Sequence, residues 1–425
     1  MRKGVLTLCN FVLIGLSFWL FFAPADVLGD ASQIFDDRKK LVYQIRIIDI
    51  SSGDKSSIGS GFQVSADGVL ATNYHVVSDL IHEQDRHRLE VIDYLGNTIQ
   101  SSLLDFDVVH DIALIKISTH GSDFFRIGKK SLSKGQRIYS IGNPQDLGMT
   151  IIEGNYNGLV ENSRHKRLLF SGSLNPGMSG GPAIDEAGYV VGINVSKGGE
   201  QISFLVPSEL LSMRIKGLRE HASDADYAEV IQKDLYRDQD QYFKRILEST
   251  VPSELFGKLM LPGKLDPSLK CWGHTVDKPK LLYESFHKHC RTEDNLFIDG
   301  EFNTGSFAYN YEWMSTEKLN RLQFYHAVES RFEHLSLYNL DKEKYATNLS
   351  CTTDFVTINQ ESWKASICFR KYKQYHSLYD ATLLLASVGQ NHQAAVVTTA
   401  ATGISKENAM ALFRMFMGAI KWKRS

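Results

Sequence analysis

Between Leu41 and Leu205 the sequence breaks into short apolar runs separated by turn residues, and no run is long enough to bury the face of a helix. Val42, Gln44, Arg46, Ile48 and Ile50 occupy alternate positions of one extended segment. Residues 61–64 and 69–72 flank Asp67-Gly68, a pair that closes tight hairpins because glycine accepts positive φ. Residues 89–94, 112–117, 137–141, 168–172 and 190–194 continue the series. Many short strands with little helical periodicity predict an all-β sandwich or barrel over this half.

The pattern changes after Pro207. Residues 208–218 read as a helix with Ser208 as its cap, and residues 219–250 as a polar helical linker with periodicity in Tyr227, Val230 and Ile231. Residues 251–425 read as α+β. A hairpin is expected over 295–313, a helix over 316–332, strands over 348–358, 363–372, 380–389 and 393–399, and a closing amphipathic helix over 405–422 capped by Ser405. A length of 425 residues with 43% apolar and 23% charged residues gives two domains with sizeable cores. The net charge of -2 gives no reason to expect nucleic acid or an anionic surface as partner. No phosphate-binding glycine loop or nucleotide fingerprint is present, and no cofactor is expected.

The N-terminus carries its own signal. Arg2 and Lys3 precede an apolar run over 5–22 and then Ala23-Pro24-Ala25, the layout of a secretory signal cut after Ala25, with Gly29 as the alternative site. The run is almost long enough to span a bilayer, so an uncleaved inner-membrane anchor is the other reading. Both readings export the rest of the chain, as a periplasmic, secreted or anchored protein. Five cysteines agree: Cys9 falls in the leader, and Cys271, Cys290, Cys351 and Cys368 form an even set. In an oxidising compartment two disulfides are expected, with three connectivities open and neighbour pairing the simplest. Cys271-x-x-His274 and His287-x-x-Cys290 also have the residue types of a zinc site, which the compartment disfavours.

Three segments in the β-rich half carry chemistry. They are Thr72-Asn73-Tyr74-His75-Val76-Val77, His110-Asp111-Ile112-Ala113-Leu114-Ile115-Lys116 and Asn175-Pro176-Gly177-Met178-Ser179-Gly180-Gly181-Pro182. Alone, His75 reads as a hydrogen-bonded residue at a strand end, Asp111 as a strand-entry residue and Ser179 as part of a tight turn. Together they supply what acyl transfer to serine requires. The hydroxyl needs a base with a pKa near neutrality, the base needs an acceptor on its other ring nitrogen, and the tetrahedral oxygen needs backbone donors.

The order His, Asp, Ser with Gly-x-Ser-Gly-Gly-Pro resembles the chymotrypsin-like serine proteases. Gly59-Ser60-Gly61-Phe62, Ile141-Gly142-Asn143-Pro144 and Gly188-Tyr189-Val190-Val191-Gly192-Ile193-Asn194 make the flanking text similar to the bacterial HtrA/Deg-type branch, over residues 40–215. The resemblance implies two β-barrels with His75 and Asp111 on the first and Ser179 on the second. It implies His75 as general base, Asp111 as its orienting partner, Ser179 as nucleophile and the N–H groups of Gly177 and Ser179 as oxyanion hole. It also places Ser173 at the floor of the first specificity pocket, with Gly198 and Glu200 on the opposite wall. Protein or peptide substrates follow.

Two departures stand out. Met178 occupies a position where digestive relatives carry an acidic residue that pairs with a freed N-terminus, so activation by trimming is not expected. No PDZ-like pattern follows residue 215. The resulting organisation is a signal over 1–25, a trypsin-like double barrel over 38–218, a linker over 219–250 and an α+β domain over 251–425. The alternatives are an idle protease fold that binds proteins in a chaperone-like way, or a protease gated by a partner on the C-terminal domain.

Overall fold

The computed structural model describes residues 31–118, 123–128, 132–199, 201–219, 226–276, 282–333 and 343–423. The leader over 1–25 and Glu200 lie outside the described residues. Among the described residues no helix is long and apolar enough to cross a membrane.

A short helix, α1 (Ala31–Arg38), leads into β1 (Val42–Asp49), β2 (Lys55–Gln63) and β3 (Val69–Thr72). Phe62 pairs with Ala71 across the β2–β3 hairpin, whose turn is closed by Gly68 at φ +83°. Helix α2 (Tyr74–His82) follows at once, then β4 (His87–Ile92), β5 (Thr98–Ile99), β6 (Ser101–Asp107) and β7 (Ile112–Ile117). These strands form one antiparallel sheet in the order β5-β4-β1-β2-β3-β7-β6. Both faces of the sheet are covered, which explains why β7 is apolar nearly throughout. Ala113 and Ile115 join the core under α2, whereas Ile112 and Leu114 face the second β unit.

The second unit contains β8 (Arg137–Gly142), β9 (Thr150–Leu159), β10 (Leu168–Phe170), β11 (Pro182–Asp185), β12 (Val190–Gly199) and β13 (Ile202–Pro207). It closes as a six-stranded barrel in the order β10-β13-β12-β11-β8-β9. The two expected barrels therefore stand as one closed barrel and one seven-stranded sheet. Val42, Phe62, Ile112 and Leu114 from the sheet share a core with Tyr139, Ile141, Ile184 and Ile193 from the barrel. Helix α3 (Ser208–Lys216) then docks on the sheet through Arg214, whose Nε donates to Asp105 Oδ2 at 2.7 Å. Its cap is Pro207 without a side-chain bond, and Ser208 is buried inside the first turn rather than capping it.

The segment expected to act as a linker contains α4 (Tyr227–Glu248), whose N-terminus is capped by Asp226 accepting from the N–H groups of Ala228 and Glu229. One face of α4 is buried along its whole length. Ile231 and Leu235 belong to the core under α2, while Tyr242, Phe243 and Ile246 belong to the core of the C-terminal half. A helix of this length reaches about 33 Å. It is a shared wall of both cores, not a solvated spacer.

Beyond α4 come β14 (Ser253–Phe256), β15 (Leu259–Pro262), β16 (Leu269–Val276), β17 (Glu284–Thr292), β18 (Leu296–Asp299), β19 (Phe302–Thr304) and β20 (Phe307–Ser315). Then follow α5 (Arg321–Glu333), β21 (Ser350–Ile358), β22 (Glu361–Lys371), β23 (Tyr379–Ser387), β24 (Gln393–Ile404), α6 (Lys406–Ala419) and β25 (Lys421–Trp422). A seven-stranded antiparallel sheet runs β16-β17-β20-β24-β23-β22-β21. Helices α4 and α6 cover one face, and α5 packs on part of the other. Ser405 caps α6 by accepting from the N–H of Asn408 at 3.2 Å, as the sequence suggested. The expected hairpin over 295–313 divides: β18 and β19 form a small separate pair, and β20 is a central strand of the large sheet.

The disulfides are Cys271–Cys290 and Cys351–Cys368, each joining directly opposed residues with Cα atoms 4.0 Å apart. They bind β16 to β17 and β21 to β22, so each of the sheet's two edge strands is stapled to the strand it pairs with among the described residues. His274 and His287 lie opposite one another on the first of these pairs with rings stacked 4.5 Å apart.

The loop between β9 and β10 ties the barrel to the C-terminal half. Ser163 Oγ donates to Asp294 Oδ2 at 2.6 Å, and the Arg164 N–H donates to the same oxygen at 2.7 Å. The Arg164 guanidinium pairs with Asp238 on α4, donates to the Gly305 carbonyl at 2.7 Å and lies 4.2 Å over the Tyr242 ring. Its side chain is 3% exposed. Arg164→Ala leaves the Asp238 carboxylate buried without its guanidinium, and should cost about 3–5 kcal/mol in urea unfolding. Replacing Cys351 and Cys368 together by serine should cost about 2–4 kcal/mol by the same measurement.

Candidate active site

The sheet and the barrel meet along β2, and the residues singled out from the sequence gather at that seam. Thr72 ends β3, and Asn73 turns the chain into α2. His75 therefore lies in the first turn of a helix, not at a strand end as the local sequence suggested. The apolar pattern of Tyr74, Val76, Val77 and Ile81 is a helix face buried on the sheet. Its brevity hid it from a reading based on period.

Asp111 sits in the turn between β6 and β7 at φ +61°. This left-handed backbone is tolerated by aspartate more readily than by most side chains. Asn73 Nδ2 holds the turn by donating to the Asp111 carbonyl at 2.8 Å. The Asp111 carboxylate then receives the His75 backbone N–H at 3.0 Å and lies 2.9 and 3.0 Å from His75 Nδ1. With Nδ1 turned to a carboxylate, Nε2 is the nitrogen left to act as a base. Asp107 stabilises the same turn by accepting from the N–H groups of Val109 and His110, and pairs with His110 Nδ1 at 2.8 Å. Burial would raise the Asp107 pKa, yet the bond and charge of His110 bring it down to about 2. Burial would lower the His110 pKa, and Asp107 outweighs it, so His110 titrates above its ordinary range. The His110 ring also packs edge-on against His165, 6.3 Å away, whose Nε2 meets Asp238.

Ser179 lies in the segment between β10 and β11. Ser60 on β2, fully buried, bolts that segment in place. Its N–H donates to the Ser179 carbonyl at 2.7 Å, and its hydroxyl donates to the Gly177 carbonyl at 2.8 Å while accepting the Asn143 N–H at 3.0 Å. The Ser60 carbonyl in turn receives the Thr72 hydroxyl at 2.7 Å. Gly177 adopts φ +94°, and a Cβ there would stand 2.4 Å from the Asn143 carbonyl oxygen. On the far side Asn194 Nδ2 donates to the Met178 carbonyl at 3.2 Å, and the Gly180 N–H donates to the Asn194 carbonyl at 2.9 Å. The Met178 side chain is fully buried among Ile138, Phe170, Leu174 and Leu205.

The Ser179 hydroxyl donates to the Val195 carbonyl at 2.7 Å. A hydroxyl has one proton, so donation to Val195 excludes donation to His75 Nε2. The N–H groups of Gly177 and Ser179 donate to no acceptor among the described residues. Of the remaining residues singled out, Ser173 is half-buried in the segment leading to Gly177, and Gly198 lies at the far end of β12. Four functional positions were not assigned from the sequence: Ser60, Thr72, Asn73 and Asn194. All four sit inside the quoted motifs, and the clue was that small polar residues occupied otherwise apolar strand ends.

Residues 59–193 match the family described as trypsin-like peptidase domain. Serine protease HTRA1 of Xenopus laevis is 36% identical over 161 residues, covering 36% of this chain and 34% of that protein. A probable periplasmic serine endoprotease, DegP-like, of Pseudomonas fluorescens is 32% identical over 171 residues, covering 37% of this chain and 34% of its own length. The crystal structure of the serine endoprotease from Yersinia pestis overlays on 44% of this chain and 66% of its own at 24% identity and a TM-score of 0.39. The chain spans about a third of the length of the curated relatives it matches. Residues 59–193 match a trypsin-like peptidase domain, and over about a third of its length this chain is similar to HtrA/Deg-type serine proteases.

Proposed function

We propose that this chain is an exported serine endopeptidase that cleaves peptide bonds through an acyl-enzyme on Ser179. The observation that carries the reading is the His75–Asp111 pair, fixed by Asn73 and joined through Thr72 and Ser60 to the loop bearing Ser179. Rotation of Ser179 about χ1 releases Val195 and turns the hydroxyl towards His75 Nε2. His75 takes the proton as Oγ attacks the scissile carbonyl, and Asp111 stabilises the imidazolium so formed. The N–H groups of Gly177 and Ser179 receive the negative oxygen. His75 then protonates the leaving amine, and water repeats the sequence on the acyl-enzyme.

Ser173, Gly198 and Glu200 are proposed to line the first specificity pocket, without an opposing charge at Ser173 to favour Lys or Arg. The seven-stranded sheet is read as the first barrel of a trypsin-like pair, its β4 and β6 brought close by packing. The protease unit is taken as 38–218, joined through 219–250 to an α+β unit over 251–425. The leader, the four disulfide cysteines and the DegP-like relatives support export. Burial of Met178 in an apolar core supports control that does not depend on a trimmed N-terminus.

A second reading, a protease held at rest until the C-terminal half is engaged, is favoured by the bond from Ser179 to Val195 and by the Arg164 clamp. The test is labelling of full-length protein with a fluorophosphonate. Ser179→Ala should abolish labelling, and Asp111→Asn should lower peptide turnover by about 10⁴. Labelling that survives Ser179→Ala would rule out this serine as the nucleophile. Slow labelling that Arg164→Ala accelerates would favour the held state. Ser60→Ala unbolts the Gly177 carbonyl, and the resulting displacement of the oxyanion donors should reduce the labelling rate about 10²-fold.

A further inference from the structure

The small β18–β19 hairpin belongs by sequence to the C-terminal half, yet it packs on the helix that carries His75. Leu296, Ile298 and Phe302 are buried in one core with Tyr74, Val77 and Ile81. The Tyr74 hydroxyl donates to the Ile298 carbonyl at 2.9 Å, and His82 Nε2 lies 3.0 Å from the same oxygen. The two ends of the hairpin are held from the barrel side. Asp294 accepts from Ser163 and Arg164, and the Gly305 carbonyl accepts from the Arg164 guanidinium. The hairpin is thus fixed to both β units.

Leu296 and Ile298 are buried inside that core, and Phe297 packs half-buried against its edge, next to an irregularity in the β18–β19 pairing. The Phe297 ring stands 6.0 Å from the His75 imidazole, nearly perpendicular to it at 75°. Phe297 is only half-buried, although the neighbouring apolar residues already secure the hairpin. A polypeptide whose scissile carbonyl meets Ser179 must pass a side chain beside His75, where the Phe297 ring is the adjoining apolar surface. We propose that Phe297 is a specificity residue supplied by the C-terminal half, and that it selects a large apolar side chain at one position flanking the scissile bond. This assignment rests on the endopeptidase reading of Ser179.

The test uses full-length wild-type, Phe297→Ala and Phe297→Leu proteins. Each is given a peptide mixture varied at the positions on both sides of the cleavage site, and Ser179 labelling is followed in parallel across pH. The expected result is a fall of about 10-fold or more in the kcat/KM ratio of large to small apolar residues at one flanking position in Phe297→Ala. Phe297→Leu should restore part of that ratio. An unchanged ratio at both positions overturns the proposal. So does a uniform loss for all peptides with a displaced pH profile, which would make Phe297 a positioning residue for His75. Wild-type protein that never labels at Ser179 refutes the endopeptidase reading itself, and the specificity assignment with it.

Discussion

The site depends on the three hydrogen-bonding groups of Ser60. From one strand of the sheet they reach the Ser179 carbonyl, the Gly177 carbonyl and the Thr72 hydroxyl. Ser60 is fully buried, so each of these bonds is made where water cannot substitute for it. The consequence is geometric. His75 follows Thr72 by three residues and Ser179 belongs to the barrel, so their separation is set through the backbone and side chain of one residue rather than through the whole interface. The neighbouring strands of β2 have little room to shift without breaking one of these bonds.

Around that hub the polar groups are arranged in tiers. Asp111 faces His75, and its own left-handed turn is braced by Asn73 and by Asp107 with His110. His110 packs on His165, and His165 and Arg164 share Asp238 on α4. A continuous run of packed and paired side chains therefore connects the Asp111 turn to the helix that supports the C-terminal sheet. Contact of this kind is one physical route for coupling, and a second arrangement of the loop between β9 and β10 is what would turn it into a switch.

Much of the protease unit was legible in the sequence because its signals are local. The Asp67-Gly68 turn, the run from Ile112 to Ile117 and the glycines around Ser179 each follow from backbone geometry at one position. The helix α2 was not legible, since nine residues ending in a buried face resemble a strand in period. Strands β16 and β17 were missed for the opposite reason. The edge strand β16 is largely exposed and its neighbour β17 carries Lys288, His287 and His289 on half-buried positions, so the apolar alternation disappears in both. The role of α4 was hidden by its charge. Its exposed face reads as a linker, and only the packing reveals that Ile231 and Phe243 serve two different cores. Phe297 lay in a segment with no motif at all, and its place beside His75 is a product of tertiary packing.

The shared core has a consequence for the order of assembly. A ribosome delivers this chain from its N-terminus, and His75, Asp111 and Ser179 are all made within the first half. The core beneath α2 nevertheless includes Ile298, Phe302, Tyr372 and Leu378. Those residues arrive long after Ser179, so the floor under His75 stays unfinished while most of the C-terminal half is still being made. Completion of the packing beneath His75 is thereby timed by residues far along the polypeptide, and a chain interrupted before Leu378 lacks that support.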